Sequence, residues 1–293
     1  MLSARRADTI AVIGAGEMGA AIGHQMLSKG ARVLTTLKGR SAASAERVRL
    51  AGIEVVDDDD AIALEAGFLL SIVPPGQAIA VAQRFHGPLA RAAKKPVFVE
   101  CNAISPATMR RIADALESSG CKLVDAGIIG GPPRTDRLDD GPRVYASGQH
   151  AHLMLDLAKF GLDVQIVDGP IGAASALKMS YAGLTKGLIA IGAAMVTGAR
   201  RAGLSEALRA ELERSQPELL RMLRARVPAM FPKAYRWVAE MEQIGEFLGS
   251  TEDGAAIYTG IARLYEQIAT EWEKAGASSA SFTAITALDG PST

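Results

Sequence analysis

Cysteine is nearly absent from this chain, with only Cys101 and Cys121 among 293 residues. Two thiols cannot build a disulfide framework or a four-thiolate zinc site. Both lie in apolar, strand-like runs, where a buried free thiol is expected. Aromatics are scarce at 5 % while glycine reaches 30 residues, so the chain is built from small aliphatics and tight turns. Net charge is missing too. Lys+Arg and Asp+Glu are both 32, which argues against a nucleic-acid binder relying on phosphate neutralisation. No apolar run is long. The most apolar stretch, Leu184 to Val196, contains Lys186 and is shorter than the roughly 20 residues a membrane span needs. The N-terminal apolar run passes into a Gly-rich loop without a small-residue cleavage site, so a secretory signal is not expected. A soluble, cytoplasmic protein is the expectation. What remains, 48 % hydrophobic and 22 % charged, is a globular composition. The length suits two domains at roughly 100–200 residues each.

The first half alternates β-branched runs with helical patterns. Strands are expected at 9–13, 32–36, 53–56, 68–73, 96–100 and 122–125, with two more at 143–147 and 163–167. Helical segments fall between them at 17–29, 42–51, 77–93 and 106–119. Such alternation with short connections predicts βαβ units on a mostly parallel, doubly wound sheet, an α/β fold. After Asp168-Gly169-Pro170 the strand pattern stops, and helices are expected at 173–202, 205–222, 232–248 and 254–274. The chain thus reads as 1–168, a nucleotide-binding α/β domain, and 169–293, an all-helical domain. The acidic run Asp57–Asp60 reads as a solvated turn whose charges favour the following helix N-terminus.

Gly14-Ala15-Gly16-Glu17-Met18-Gly19 follows one strand and opens one helix. In that context GxGxxG marks dinucleotide binding. The first glycine permits a tight turn, the second lets backbone approach a pyrophosphate, and the third lets helix and strand pack closely. NAD enzymes place an acid at the end of the second strand to accept from the ribose. Here the segment is Thr35-Thr36-Leu37-Lys38-Gly39-Arg40-Ser41, without an acid. Lys38, Arg40 and Ser41 suit a 2′-phosphate, so NADP(H) is favoured, with NAD held through Thr36 or backbone groups as the alternative. Val73, Pro74 and Pro75 are expected to line the cofactor's path at the carboxyl edge of the sheet.

The motifs form an ordered series: GAGEMGAAIG, SIVPPG (71–76), ECNAISP (100–106), DAGIIGGPP (125–133) and DGPIGAASALKMSYAGLTKG (168–187). This series resembles the β-hydroxyacid dehydrogenase family, which includes 3-hydroxyisobutyrate dehydrogenases and relatives of 6-phosphogluconate dehydrogenase. The stretch AYRWVAEMEQI (234–244) is similar to a subgroup with its own helical C-terminal domain. The resemblance implies a Rossmann domain followed by an all-α domain, a small carboxylate substrate, and a homodimer. It assigns Lys178, after the turn Gly169-Pro170-Ile171-Gly172, as the catalytic lysine. A lysine there can donate or accept the alcohol proton if burial lowers its pKa toward neutrality. It assigns Asn102 to the nicotinamide ribose or the substrate.

Two positions depart from the family pattern. Ile129-Gly130-Gly131 stands where the family has Ser-Gly-Gly, and Ala182 stands where it has Asn. The amides of Gly130 and Gly131 remain able to hold a carboxylate beside Ile129. Tyr181 and Lys186 lie near Lys178 at helical spacing and are candidates to replace the missing polar groups. In the C-terminal domain Trp237, Met241, Ile244 and Leu248 form an apolar stripe. Arg236 and Glu240 are spaced as an i, i+4 surface pair, with Glu240 also a candidate substrate contact. His150 and His152 lack a third ligand, so no metal site is expected, and His24 is expected on a helix surface. The leading expectation is an NADP(H)-dependent interconversion of a small hydroxy acid and its oxo acid. Imine reduction and non-catalytic NADP(H) sensing are the alternatives.

Overall fold

The β-branched runs of the first half form one sheet: β1 (Thr9–Ile13), β2 (Arg32–Thr35), β3 (Glu54–Val55), β4 (Phe68–Ser71), β5 (Val97–Glu100), β6 (Leu123–Ile129), β7 (Arg143–Ser147) and β8 (Asp163–Ile166). The computed structural model describes residues 6–134, 141–249 and 252–275. Strand order is β3-β2-β1-β4-β5-β6-β7-β8, and every pair is parallel except β6 with β7. The chain runs outward from β1 through β2 to β3, then returns to build the other side from β4. The switch point, where open α/β sheets bind ligands, therefore lies between the carboxyl ends of β1 and β4.

Helices α1 (Glu17–Ser28), α2 (Ala42–Leu50), α3 (Asp59–Glu65), α4 (Ala78–Arg91) and α5 (Pro106–Leu116) connect the strands. Successive β1 residues serve opposite faces. Ile10 and Val12 join Ile22 and Met26 of α1, whereas Ala11 and Ile13 join Phe85, Leu89 and Ile112 of α4 and α5. A sheet covered on both faces needs apolar residues at both parities, which is why the strands read as continuous apolar runs.

Differences from expectation have local causes. β6 continues to Ile129, beyond the expected end at Asp125, because the antiparallel ladder with β7 runs from Asp125↔Ser147 to Ile129↔Arg143. Ala126 and Gly127 had broken the β-branched pattern there. Residues 151–160 form a 3-10 run that strand and helix periodicities did not signal. The helix expected over 205–222 is two helices, α7 (Ser205–Ser215) and α8 (Pro217–Met230). Pro217 has no N–H and pushes Gln216 out of the helical region, to φ −141°, ψ 55°.

The chain divides into two units, Met1–Met179 and Ser180–Thr293. The division falls inside the long helix α6 (Ala173–Arg201), not near Gly169 where the sequence pattern changes. The root of α6 is tied to the sheet by buried hydrogen bonds described below. The second unit continues through α7 and α8 to α9 (Ala234–Leu248) and α10 (Glu252–Ala275), with no strand among its described residues. Although Leu184–Val196 is a short run, α6 as a whole is long and apolar enough to cross a membrane by length and composition, with 44 % of its most apolar window buried inside the protein.

Candidate functional site

The turn after β1 depends on its glycines. Gly14 has φ +96°, and a Cβ there would lie 2.2 Å from the Ile72 carbonyl and 2.6 Å from Val73 Cγ1. The loops after β1 and β4 therefore interlock at the switch point. A Cβ at Gly19 would lie 2.3 Å from the Gly14 carbonyl, while one at Gly16 would meet nothing within 4 Å. Gly16 opens α1 without a side-chain cap, leaving orphan N–H groups at the positive end of the helix dipole. This open, uncapped cradle fits a dinucleotide pyrophosphate. Ala15 is buried within it, Met18 is half-buried, and Glu17 is exposed.

Of the residues expected at the ribose, two hydroxyls are engaged inside the protein. Thr36 is buried; its Oγ accepts from Arg84 at 2.7 Å and lies 3.5 Å from Asp59 Oδ1. Ser41 caps α2, its Oγ accepting from the Ser44 N–H at 3.3 Å. Lys38 is exposed and Arg40 half-buried on a turn closed by Gly39, which has φ +72°. Arg47, two turns into α2, is a further cation at this place. Its guanidinium lies 3.5 Å from the Ala15 carbonyl and 3.2 Å from Ser44 Oγ. Sequence reasoning missed it because only the helical period carries it back to the loop. The acidic run is not simply a solvated turn. Asp58 caps α3, Asp59 pairs with Arg84 and Asp60 with Arg91, so the run fastens α3 to α4.

Asn102, expected at the nicotinamide ribose or substrate, is 4 % exposed. Its Oδ1 accepts from the Val73 N–H at 2.6 Å, and its Nδ2 donates to Ser71 Oγ at 3.1 Å. The side chain thus clamps the loop of Val73, Pro74 and Pro75 onto β5. Its own N–H donates to Glu100 Oε1 at 3.0 Å. Glu100 is fully buried, and its Oε2 has no hydrogen-bond partner. Burial, reinforced by the charge of Asp125, pushes the Glu100 carboxyl up to about 8.

Asp125, on the neighbouring strand, is the second fully buried acid. Its Oδ2 accepts from the N–H groups of Gly172 (2.9 Å) and Ser175 (3.0 Å) and from Ser147 Oγ (2.9 Å), and its Oδ1 from Ser175 Oγ (2.6 Å). Ser147 Oγ also accepts from the Ala174 N–H at 2.9 Å. A carboxylate from β6 thus satisfies the orphan donors at the start of α6 and complements its dipole. Asp125→Ala would leave several buried donors unpaired. It is expected to lower stability by about 3 kcal/mol, measured by urea unfolding; a loss under about 1 kcal/mol would mean other groups satisfy those donors.

This anchoring delivers Lys178. The lysine lies just over one turn beyond Ala173, and α6 approaches β6 closely at Gly127, where a Cβ would stand 3.1 Å from both the Ala174 carbonyl and Lys178 Cβ. The Lys178 Nζ donates to the Ile128 carbonyl. That carbonyl immediately precedes Ile129, half-buried at the end of β6, and the exposed Gly130-Gly131. Gly130 has φ +133°, so a side chain there would be strained. The structure thus brings together Lys178 and the expected anchoring loop.

The other expected substrate residues lie in the helical unit. Lys186 and Glu240 form an ion pair with each other, with Glu240 buried. The Lys186 ammonium sits 5.1 Å from the Trp237 ring centre, and the Tyr265 hydroxyl donates to the Lys186 carbonyl at 2.6 Å. Glu240 is therefore not the surface partner of Arg236, whose guanidinium stacks 5.6 Å from Tyr235. Helix α9 turns Glu240 inward beside Met241 and Ile244 of the apolar stripe. Tyr181 is half exposed. His24 is half-buried, its Nδ1 3.2 Å from the Ala51 carbonyl. Among the described residues no group of three or more His, Cys, Asp or Glu is placed to hold a metal. Cys101 is buried and Cys121 half-buried, and both are free thiols.

Residues 9–154 match the NAD binding domain of 6-phosphogluconate dehydrogenase, and residues 199–268 match a domain of unknown function. The conserved protein MTH1747 of unknown function, whose structure reveals similarity with 3-hydroxyacid dehydrogenases, is 29 % identical, with 89 % of this chain and 96 % of that one covered and a TM-score of 0.66. The 3-hydroxyisobutyrate dehydrogenase of Pseudomonas aeruginosa is 31 % identical over 124 residues, 42 % of this chain and 41 % of that enzyme. The imine reductase of Myxococcus stipitatus, solved with NADP+, shares the fold at 20 % identity, covering 92 % and 95 % of the two chains with a TM-score of 0.54. A variant of it was solved with NAD+.

Proposed function

We propose that this chain, whose residues 9–154 match the NAD binding domain of 6-phosphogluconate dehydrogenase, is an oxidoreductase of the β-hydroxyacid dehydrogenase type that interconverts a small hydroxy acid and its oxo acid with NADP(H), using Lys178 as general acid and base. One observation carries this reading: the Lys178 ammonium donates to the carbonyl that opens the Ile129-Gly130-Gly131 loop. A substrate carboxylate held by the amides of Gly130 and Gly131 has its neighbouring carbinol within reach of that ammonium. A nicotinamide cofactor held at the Gly14–Gly19 loop would supply hydride acceptance or donation. In the oxidising direction Lys178, neutral at the start, takes the hydroxyl proton; in the reducing direction it returns that proton to the forming alkoxide. Its charge also polarises the carbonyl before the hydride arrives. Ile129 adds apolar surface where the related loop has a hydroxyl, which favours a substrate with an aliphatic substituent.

Preference for NADP(H) is supported by the outward Lys38 and Arg40 and by Arg47 at the glycine loop. Paired Lys38→Ala and Arg40→Ala substitutions are expected to weaken NADPH binding by about 10–100-fold through the loss of charge-assisted bonds, and to leave NADH binding unchanged. Fluorescence titration measures both. Wild-type protein that binds NADH more tightly than NADPH would refute the preference. Turnover on a panel of hydroxy acids tests the reaction. Activity confined to cyclic imines would replace it with C=N reduction, and saturable NADPH binding without any turnover would leave a sensing role.

A further inference from the structure

The second strand ends without the acid that NAD sites place there for the adenosine ribose, yet a carboxylate occupies the spot. Asp59, on α3, has its Oδ1 3.5 Å from the hydroxyl of Thr36, the first residue beyond β2. It arrives from a separate element, 23 residues further along the chain. Its charge is covered. Arg84, on α4, donates from Nε to Asp59 Oδ2 at 2.6 Å and from Nη2 to Asp59 Oδ1, and the same Nη2 donates to Thr36 Oγ at 2.7 Å. This is the two-pronged geometry of a strong arginine–carboxylate pair. The guanidinium also lies 5.2 Å from the Phe85 ring centre. The Asp59 side chain is 17 % exposed and that of Arg84 31 %, against 55 % and 63 % for the neighbouring Asp60–Arg91 pair. Salt therefore screens the first pair less than the second.

We propose that Asp59 is the ribose acid that β2 lacks, and that Arg84 biases the site toward NADP(H) by neutralising it. Cofactor preference is a difference of two affinities, so a group that disfavours one cofactor counts as much as a group that favours the other. With the pair closed, the end of β2 is neutral, and a 2′-phosphate directed to Lys38 and Arg40 meets no opposing charge. With Arg84 removed, the carboxylate repels a 2′-phosphate, and its oxygens are open to a 2′-hydroxyl. Arg84 acts through Asp59 in this scheme, because its Nε and Nη2 donors are already committed to Asp59 and Thr36. This rests on the NADP(H) preference proposed above and names the groups that tune it. It is independent of the chemistry proposed for Lys178.

The test is fluorescence titration of NADPH and NADH, at one low ionic strength, against the wild type and the Arg84→Gln, Arg84→Lys and Arg84→Gln/Asp59→Asn variants. The quantity read is the ratio of the two dissociation constants, which a general loosening of the loop does not move. Arg84→Gln is expected to shift that ratio toward NADH by about tenfold, the effect of one uncovered charge on a nearby phosphate. It should also bind NADH more tightly than the double variant, which has no carboxylate to offer the ribose. The double variant, with neither charge, should return to the wild-type ratio, and Arg84→Lys, which keeps the charge, should stay near it. An unchanged ratio in Arg84→Gln, whether both cofactors weaken or neither does, would overturn the proposal. So would a double variant that stays as NADH-shifted as Arg84→Gln, because Arg84 would then be the phosphate contact itself. A wild type that binds NADH more tightly than NADPH removes the preference proposed above, while the order of the variants still decides the role of the pair.

Discussion

Replacing Lys178 with methionine is expected to lower turnover by about 10²–10⁴-fold, the usual range for removing a positioned acid–base group. Methionine keeps the length and the apolar stem but has no proton to give. Asp125 and Ser147 hold the helix root through bonds to Gly172, Ala174 and Ser175, so the fold should survive and NADPH affinity should be unaffected. Lys178→Arg sharpens the experiment. Arginine retains the charge and can donate to the Ile128 carbonyl, but it does not give up a proton in the accessible pH range. If proton transfer is the role, arginine should stay near the methionine level; if charge alone suffices, arginine should recover most of the activity. Steady-state kinetics with the best substrate, together with a cofactor titration, separates these outcomes. Wild-type turnover in the methionine variant would remove Lys178 from the mechanism.

The second large effect concerns Glu100 and pH. Its carboxyl is fully buried and raised to about 8, chiefly by burial and further by the charge of Asp125. A carboxyl whose folded pKa lies above its unfolded value binds its proton more tightly when folded. Its contribution to stability is then fully present below the unfolded pKa of about 4.3, is lost as pH rises, and levels off beyond the folded pKa. The expected slope is about 1.4 kcal/mol per pH unit across that window. Glu100→Gln keeps the shape and cannot ionise. The variant should match or fall slightly below the wild type at pH 5, and exceed it by a few kcal/mol at pH 9. Urea unfolding of both proteins at the two pH values isolates this group, because all other titrations cancel in the difference. A difference independent of pH would mean that Glu100 does not titrate in the window.

The gross fold was legible because it rests on periodicity. Strands buried on both faces leave unbroken apolar runs, and helices between them leave a 3.6-residue pattern, so the order of elements could be read directly. The glycine loop was legible for a different reason: Gly14 has φ +96°, and a Cβ at Gly14 or Gly19 would run into backbone, so glycine is required at those two positions. What stayed hidden were polar contacts between residues distant in sequence. Asp125 meets Gly172 and Ser175 across 47 and 50 residues, and nothing local to either segment announces the pairing. For the same reason Thr36 and Ser41 read as cofactor groups, although Arg84 and the α2 N-terminus hold their hydroxyls. Lys186 and Glu240 were both singled out as substrate contacts. Their residue types were noticed, but that they answer each other could be seen only once α6 and α9 were packed.

Gly127 works as a spacer gauge. Added bulk at this position meets the Ala174 carbonyl and Lys178 Cβ at 3.1 Å, so an alanine there would force helix α6 or β6 to give by a few tenths of an ångström. The spacing between α6 at Lys178 and the end of β6 is thus set from beneath, by a residue on β6 itself. If the proposed reaction holds, a change at the back of strand β6 alters the room beside Lys178 while leaving Lys178 and the Gly130-Gly131 pair unaltered.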